Sequence, residues 1–157
     1  MKRYPLADLL RVRKLRKDRA EEDVQRAKQK LLEAEQWVKT CKKELEDFKI
    51  FRLKEIDRLY SSVMKKDIKR EKVDEIAFDI ATLDGKVIEY ERAIEAAKQA
   101  VEVARQEVED RRAALHKAMQ SLQKIDEHKT AWVAGTSKEE LALLEKELED
   151  FRPKERS

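Results

Sequence analysis

Few residues in this 157-residue chain have types that could do chemistry: Cys41, His116, His128, and a dense population of carboxylates and cations. A nucleophile needs a base within hydrogen-bond reach, and a metal needs ligands that converge. A phosphate cradle needs a glycine-rich loop, and the chain has only two glycines. The two histidines read as solvated surface groups, and Cys41 as a small buried apolar residue. The Asp and Glu residues are spaced as wet faces and i,i+4 pairs with Lys and Arg. The sequence therefore assigns no catalytic residue, no metal and no cofactor, and reads as a non-enzyme.

The elements that carry these residues are read from a heptad. Steps of three and four run Val73, Ile76, Ile80, Leu83, Val87, Tyr90, Ile94, Ala97, Val101, Ala104, Val108, Arg111, Leu115, Ala118, Leu122, Ile125, Lys129, Trp132. Sixteen of these eighteen positions are uncharged, and the positions between them are mostly Glu, Lys, Arg, Asp and Gln. A sustained period of 3.5 belongs to a helix packed along a second helix. Sixty residues at helical rise would make a rod of roughly 90 Å. Such a shape argues against a pocket enzyme.

The first half carries a matching tract: Ala20, Val24, Ala27, Leu31, Ala34, Val38, Cys41, Leu45 and Phe48. After Phe48 the phase slips. Arg52 and Glu55 fall on the seam while Ile56, Leu59 and Val63 continue the stripe one offset later, the mark of a stutter. Helix 1 is placed at about 5–64, with Pro5 in its first turn, and a turn at about 65–70 with Asp67 as a cap. Helix 2 is placed at about 71–134, ended by Gly135. Ser137 and Glu140 read as a capping box that opens a short amphipathic helix at about 138–150. Its apolar face is Leu141, Leu144, Leu148 and Phe151, and Pro153 stops it. The expected fold is all-α, a single domain over 1–157: a long two-helix antiparallel coiled-coil hairpin with a short C-terminal helix. If the chain reverses near residue 66, partners sum to about 132, so Leu31 faces the Val101 region and Leu45 the Val87 region.

Composition agrees with this reading. Charged residues make up 45% and aromatics 6%, a coiled-coil profile. Disorder would lack the apolar stripe. One cysteine allows no intrachain disulfide and suggests a reducing compartment. No apolar run is long enough for a membrane span, and the basic N-terminus lacks the apolar core of a secretory signal. Net charge is +3, yet residues 1–19 hold eight basic and two acidic residues, a net +6. A basic end on a near-neutral rod suggests contact with an acidic surface. Acidic residues interleave throughout and there is no aromatic platform, which argues against nucleic acid.

Three features stand out from a solvated coil. At the basic end Leu6 and Leu10 keep the seam, Arg13 and Lys17 take the next seam slots, and Val12 and Leu15 point away among Arg11, Arg16 and Arg19. Apolar side chains exposed among arginines suggest a binding surface. Phe78 sits opposite the seam close to the turn, with Phe51 flanking the seam and Tyr60 nearby. Arg111 and Lys129 interrupt the seam toward the open end.

The opening Tyr4-Pro5-Leu6-Ala7-Asp8-Leu9-Leu10-Arg11-Val12-Arg13, followed by Asp18-Arg19-Ala20-Glu21, resembles the N-terminus of the YscO/FliJ family. The stretch His128-Lys129-Thr130-Ala131-Trp132 is similar to its injectisome branch. That resemblance implies a cytoplasmic central-stalk protein, peripheral to a bacterial type III secretion apparatus at the inner membrane. It implies three kinds of partner: the hexameric export ATPase, the cytoplasmic domain of the export-gate membrane protein, and secretion chaperones. On it, Arg11, Val12, Arg13, Leu15, Arg16, Lys17 and Arg19 become ATPase-binding candidates, and Phe51, Tyr60 and Phe78 export-gate candidates. The chain is expected to act as a monomer without inserting into the membrane. The alternative is a homo-oligomeric structural coiled coil, or a chaperone-like adaptor with no ATPase.

Overall fold

The structure, a computed structural model, describes residues 2–64 and 69–150. Two helices account for nearly all of them: α1, Ala7–Val63, and α2, Arg70–Asp150. Among the described residues there is no strand. The expected bounds of helix 1 and the start of helix 2 agree with these to within a residue or two. The Asp67 cap, most of the turn, and the Phe151 and Pro153 ends of the tail lie outside the described residues.

Local chemistry sets the helix starts. Pro5 lies in a turn just before α1, where the Ala7 amide donates to the Tyr4 carbonyl at 3.2 Å and Leu10 to Leu6 at 2.9 Å. Asp8 lies in the first turn, where a carboxylate is favoured by the helix dipole. The start of α2 is tied similarly, with the Lys72 and Val73 amides donating to the Lys69 carbonyl.

Contacts fall into two compact units, one of residues 1–24 with 110–157 and one of 25–109. In the second unit α1 and α2 pair antiparallel. Cys41, Leu45, Ile94 and Ala97 form its centre, with Val38, Val87 and Tyr90 packed against them, so Leu45 and Val87 belong to one cluster. Phe48 stacks tilted on Tyr90 at 5.0 Å. Arg52 of α1 donates to Asp84 of α2 at 2.8 Å through Nε. All nine seam residues from Ala20 to Phe48 are buried or half-buried. Past Phe48, Arg52, Glu55, Ile56, Leu59 and Val63 are all half-buried. Both phases share the interface there, as a stutter requires.

In the first unit the pairing is again antiparallel. Tyr4 meets His128 and Trp132, Arg13 reaches Ser121, and Arg111 lies 3.6 Å from Asp23. Arg111 is thus an exposed seam position that turns its charge across to α1. Along α2 every other predicted seam position from Ile76 to Ile125 is buried or half-buried. Val73 and Lys129 are exposed.

The C-terminal reading needs correction. The structure has no break at Gly135 and no separate short helix; α2 runs unbroken to Asp150. No glycine has positive φ, so Gly135 is an ordinary helical residue and Ser137 is interior rather than a cap. Glycine inside a helix costs only about 1 kcal/mol relative to alanine. The strong helix formers Lys138, Glu139, Glu140 and Leu141 follow shortly after it.

Candidate functional site

The basic end is built from about the first four turns of α1 against α2. Leu10, Arg13, Lys17 and Ala20 face inward, half-buried or buried. Arg13 spends its guanidinium on α2, donating from Nη1 to the Ser121 carbonyl at 2.9 Å. Lys17 pairs with Glu21 at 3.0 Å and Asp18 at 3.5 Å, and the bond to Glu21 raises its pKa above the ordinary lysine value. Of the seven ATPase-binding candidates, these two are half-buried.

The other five, Arg11, Val12, Leu15, Arg16 and Arg19, are exposed together on the outward side. Arg11 also holds Asp8 at 3.2 Å, and Arg3 approaches the same carboxylate at 3.6 Å. The result is a cationic strip with two aliphatic side chains in its middle. Such a surface can attract an acidic partner at long range and seat it by apolar contact.

Sequence reasoning missed what fixes the start of this strip. Tyr4 precedes the helix, yet is buried at 6% exposure. Its ring meets Trp132 edge-on at 5.3 Å, and its hydroxyl lies 2.5 Å from Nδ1 of His128. With the imidazole proton on Nε2, the phenol donates. His128 is therefore more than a solvated surface group, although its residue as a whole is exposed. The signal was available: partners summing to 132 place Tyr4 opposite residue 128. His116 is exposed as expected.

The export-gate candidates lie in the other unit. Phe78 is 72% exposed, and Phe51 and Tyr60 are exposed as well. Phe51 leans on Phe48, ring centres 5.9 Å apart. It lines a shallow groove of about 340 Å³ with Glu55, Leu59, Asp79, Thr82, Leu83 and Lys86. Among the described residues no ring contact joins Phe78, Phe51 and Tyr60. Arg58 holds Glu55 nearby at 2.5 Å, and that bond keeps the carboxylate below its usual pKa. Cys41 is a free, buried thiol whose burial pushes its pKa up. No described group of His, Cys, Asp and Glu could hold a metal. No described helix is long and apolar enough to cross a membrane.

Two long helices that pair antiparallel within each unit define a coiled-coil protein. The sequence profile of the type III secretion protein YscO matches residues 6–154. The chain belongs to the YscO family of type III secretion proteins. The crystal structure of the type III secretion protein YscO from Vibrio parahaemolyticus superposes with a TM-score of 0.85 at 20% identity, covering 94% of this chain and 92% of that one. A YscO homologue from Chlamydia trachomatis superposes with a TM-score of 0.74 at 25% identity, covering 96% and 92%. No curated protein sequence matches the chain.

Proposed function

We propose that this chain is the central stalk of a type III secretion export ATPase. It docks its basic end in the hexamer, stimulates hydrolysis without doing chemistry, and links the ring to the export gate and to secretion chaperones. The observation that carries this reading is the exposed strip Arg11, Val12, Leu15, Arg16 and Arg19, anchored at its start by buried Tyr4. A ring of like subunits around one asymmetric helix pair cannot keep all its interfaces equivalent. A stalk that binds one subunit conformation better than the others shifts the ring toward it, and turnover responds through that bias.

In this reading Phe78 is the principal contact to the cytoplasmic domain of the gate protein, with Phe51 and Tyr60 beside it. A large apolar side chain on a charged surface can supply most of the energy of a small interface. The stalk acts in the cytoplasm, peripheral to the apparatus. Affinity capture of the tagged chain from its native cells tests the assignment: the export ATPase and the gate protein should co-purify. Recovery of the chain with neither would contradict it and favour a structural coiled coil.

A further inference from the structure

One side of the basic end is cationic where the other is mixed. Arg13 of α1 donates to the Ser121 carbonyl of α2 at 2.9 Å, and that bond marks the cationic side. Leu9 and Arg16 flank Arg13 one heptad apart, Val12 and Arg19 repeat the spacing, and Lys117, Lys124 and Ala131 continue the side on α2. All seven are exposed. Four are cations, and none is a carboxylate. On the opposite side Lys17, Asp126 and Glu127 line one groove together.

The last turns of α2 carry the complementary surface. Every residue from Ser137 to Asp150 is exposed. Leu141, Leu144 and Leu148 share one face at helical spacing, flanked by Glu140, Glu145 and Glu147. Residues 138–150 hold six acidic and two basic side chains, a net −4. Leucines between carboxylates match Leu9 and Val12 between cations.

Gly135 lies between the two surfaces. Tyr4 holds Trp132, and Gly135 follows three residues later. Nothing stands within 4 Å of where its Cβ would be, so crowding does not require glycine there. What it supplies is backbone freedom. Ser137 and Glu140 have the spacing of a capping box, which can start a new helix directly after it.

We propose that α2, straight in this structure, also bends at Gly135, and that residues 138–150 fold back along the cationic side. There they cover Val12 and Arg16 until the export ATPase displaces them. Leu148 lies 13 residues beyond Gly135 and Lys124 lies 11 before it, so a reversed helix brings the two nearly level. Tyr4 meets His128 and Arg13 meets Ser121, which sets Leu9 near the level of Lys124 and Val12 a turn further on. Leu144 and Leu148 then cover Leu9 and Val12, while Glu145 and Glu147 approach Lys124 and Arg16. Three loop residues, Gly135 to Ser137, suit a reversal between antiparallel helices. The opposite charges favour closure. An ATPase sees only the open fraction, so closure weakens docking.

The inhibitory role rests on reading the strip as the ATPase contact; the fold-back itself does not, and is tested without ATPase. Val12→Cys with Leu148→Cys is made in the full chain, in a Cys41→Ala background. In the straight helix these positions are roughly 35–40 Å apart by helical rise, whereas a disulfide needs Cα atoms about 6 Å apart. Mild oxidation at micromolar concentration should give a monomeric disulfide. It should form several-fold more slowly in high salt, with Arg16→Glu and Lys124→Glu added, or with Leu143→Cys, on the opposite face, replacing Leu148→Cys. Cys41 is buried, so the pair can also be read with that thiol retained if its replacement lowers helicity. No monomeric disulfide, a disulfide only between two chains, or equal rates at 143 and 148 would overturn the fold-back. Leu144→Glu with Leu148→Glu should lower the concentration needed for half-maximal ATPase stimulation several-fold. An unchanged concentration beside a trapped disulfide would overturn the inhibitory role. A chain that stimulates at no concentration, even with both leucines replaced, would remove the ATPase reading and the inhibitory role with it, whatever the disulfide shows.

Discussion

Tyr4 and His128 stand 124 residues apart in sequence, and their side chains meet at 2.5 Å beside the ring of Trp132. This clasp ties the non-helical residues before α1 to the α2 surface. It therefore sets where the basic strip begins.

Removing the clasp should loosen that end without unfolding the rest. Tyr4→Phe loses one partly buried hydrogen bond, a cost of about 1 kcal/mol. Tyr4→Ala also loses the ring contacts and should cost about 3 kcal/mol locally. Amide exchange should quicken over the first turns of α1, with the Cys41–Ala97 region protected as before. Faster exchange spread evenly over both units would show that Tyr4 supports the whole fold.

The seam and the outward aromatic should behave oppositely. Leu83 is buried at 8% exposure and Phe78 is 72% exposed. Leu83→Ala should destabilise by about 2–4 kcal/mol, and Phe78→Ala should stay within about 0.5 kcal/mol. Thermal melts separate the two. Phe78→Ala should nevertheless lose binding to the gate protein's cytoplasmic domain, and unchanged binding would remove Phe78 from the proposed contact.

Cys41 offers a pH test with a defined sign. Burial disfavours its thiolate, so the folded pKa lies above the unfolded value of about 8.5. The stability this contributes is complete below the unfolded pKa and is lost as pH rises toward the folded value. Alkylation near neutral pH should follow global opening, slow in the native protein and fast in denaturant. Rapid native alkylation would place the thiol outside the core that Leu45, Ile94 and Ala97 define.

The long-range pattern was legible because it is redundant. From Ala20 to Phe48 and from Ile76 to Ile125, many residues repeat one period, and a single exception such as Arg111 does not obscure it. Even the slip after Phe48 was legible, since two offset stripes compete and both end half-buried. Tyr4 was not, because it lies before the helix and belongs to no period. Gly135 misled for a local reason. Its cost in a helix interior is only about 1 kcal/mol, too little to end a helix that continues into Lys138, Glu139, Glu140 and Leu141. On the basic end, the outward strip could be read from sequence, but the in-chain use of Arg13 could not. That depends on which α2 carbonyl lies within its reach.

The central claim is that the outward face of α1 stimulates an ATPase. Its most direct test is steady-state hydrolysis by the purified export ATPase with this chain or with its Arg11→Glu, Arg16→Glu, Arg19→Glu variant. All three arginines are exposed, so circular dichroism should remain helical. The account predicts stimulation by the native chain and its loss in the variant, with partial loss when Val12→Ser and Leu15→Ser are made instead. Equal stimulation by the native and charge-reversed proteins would contradict it.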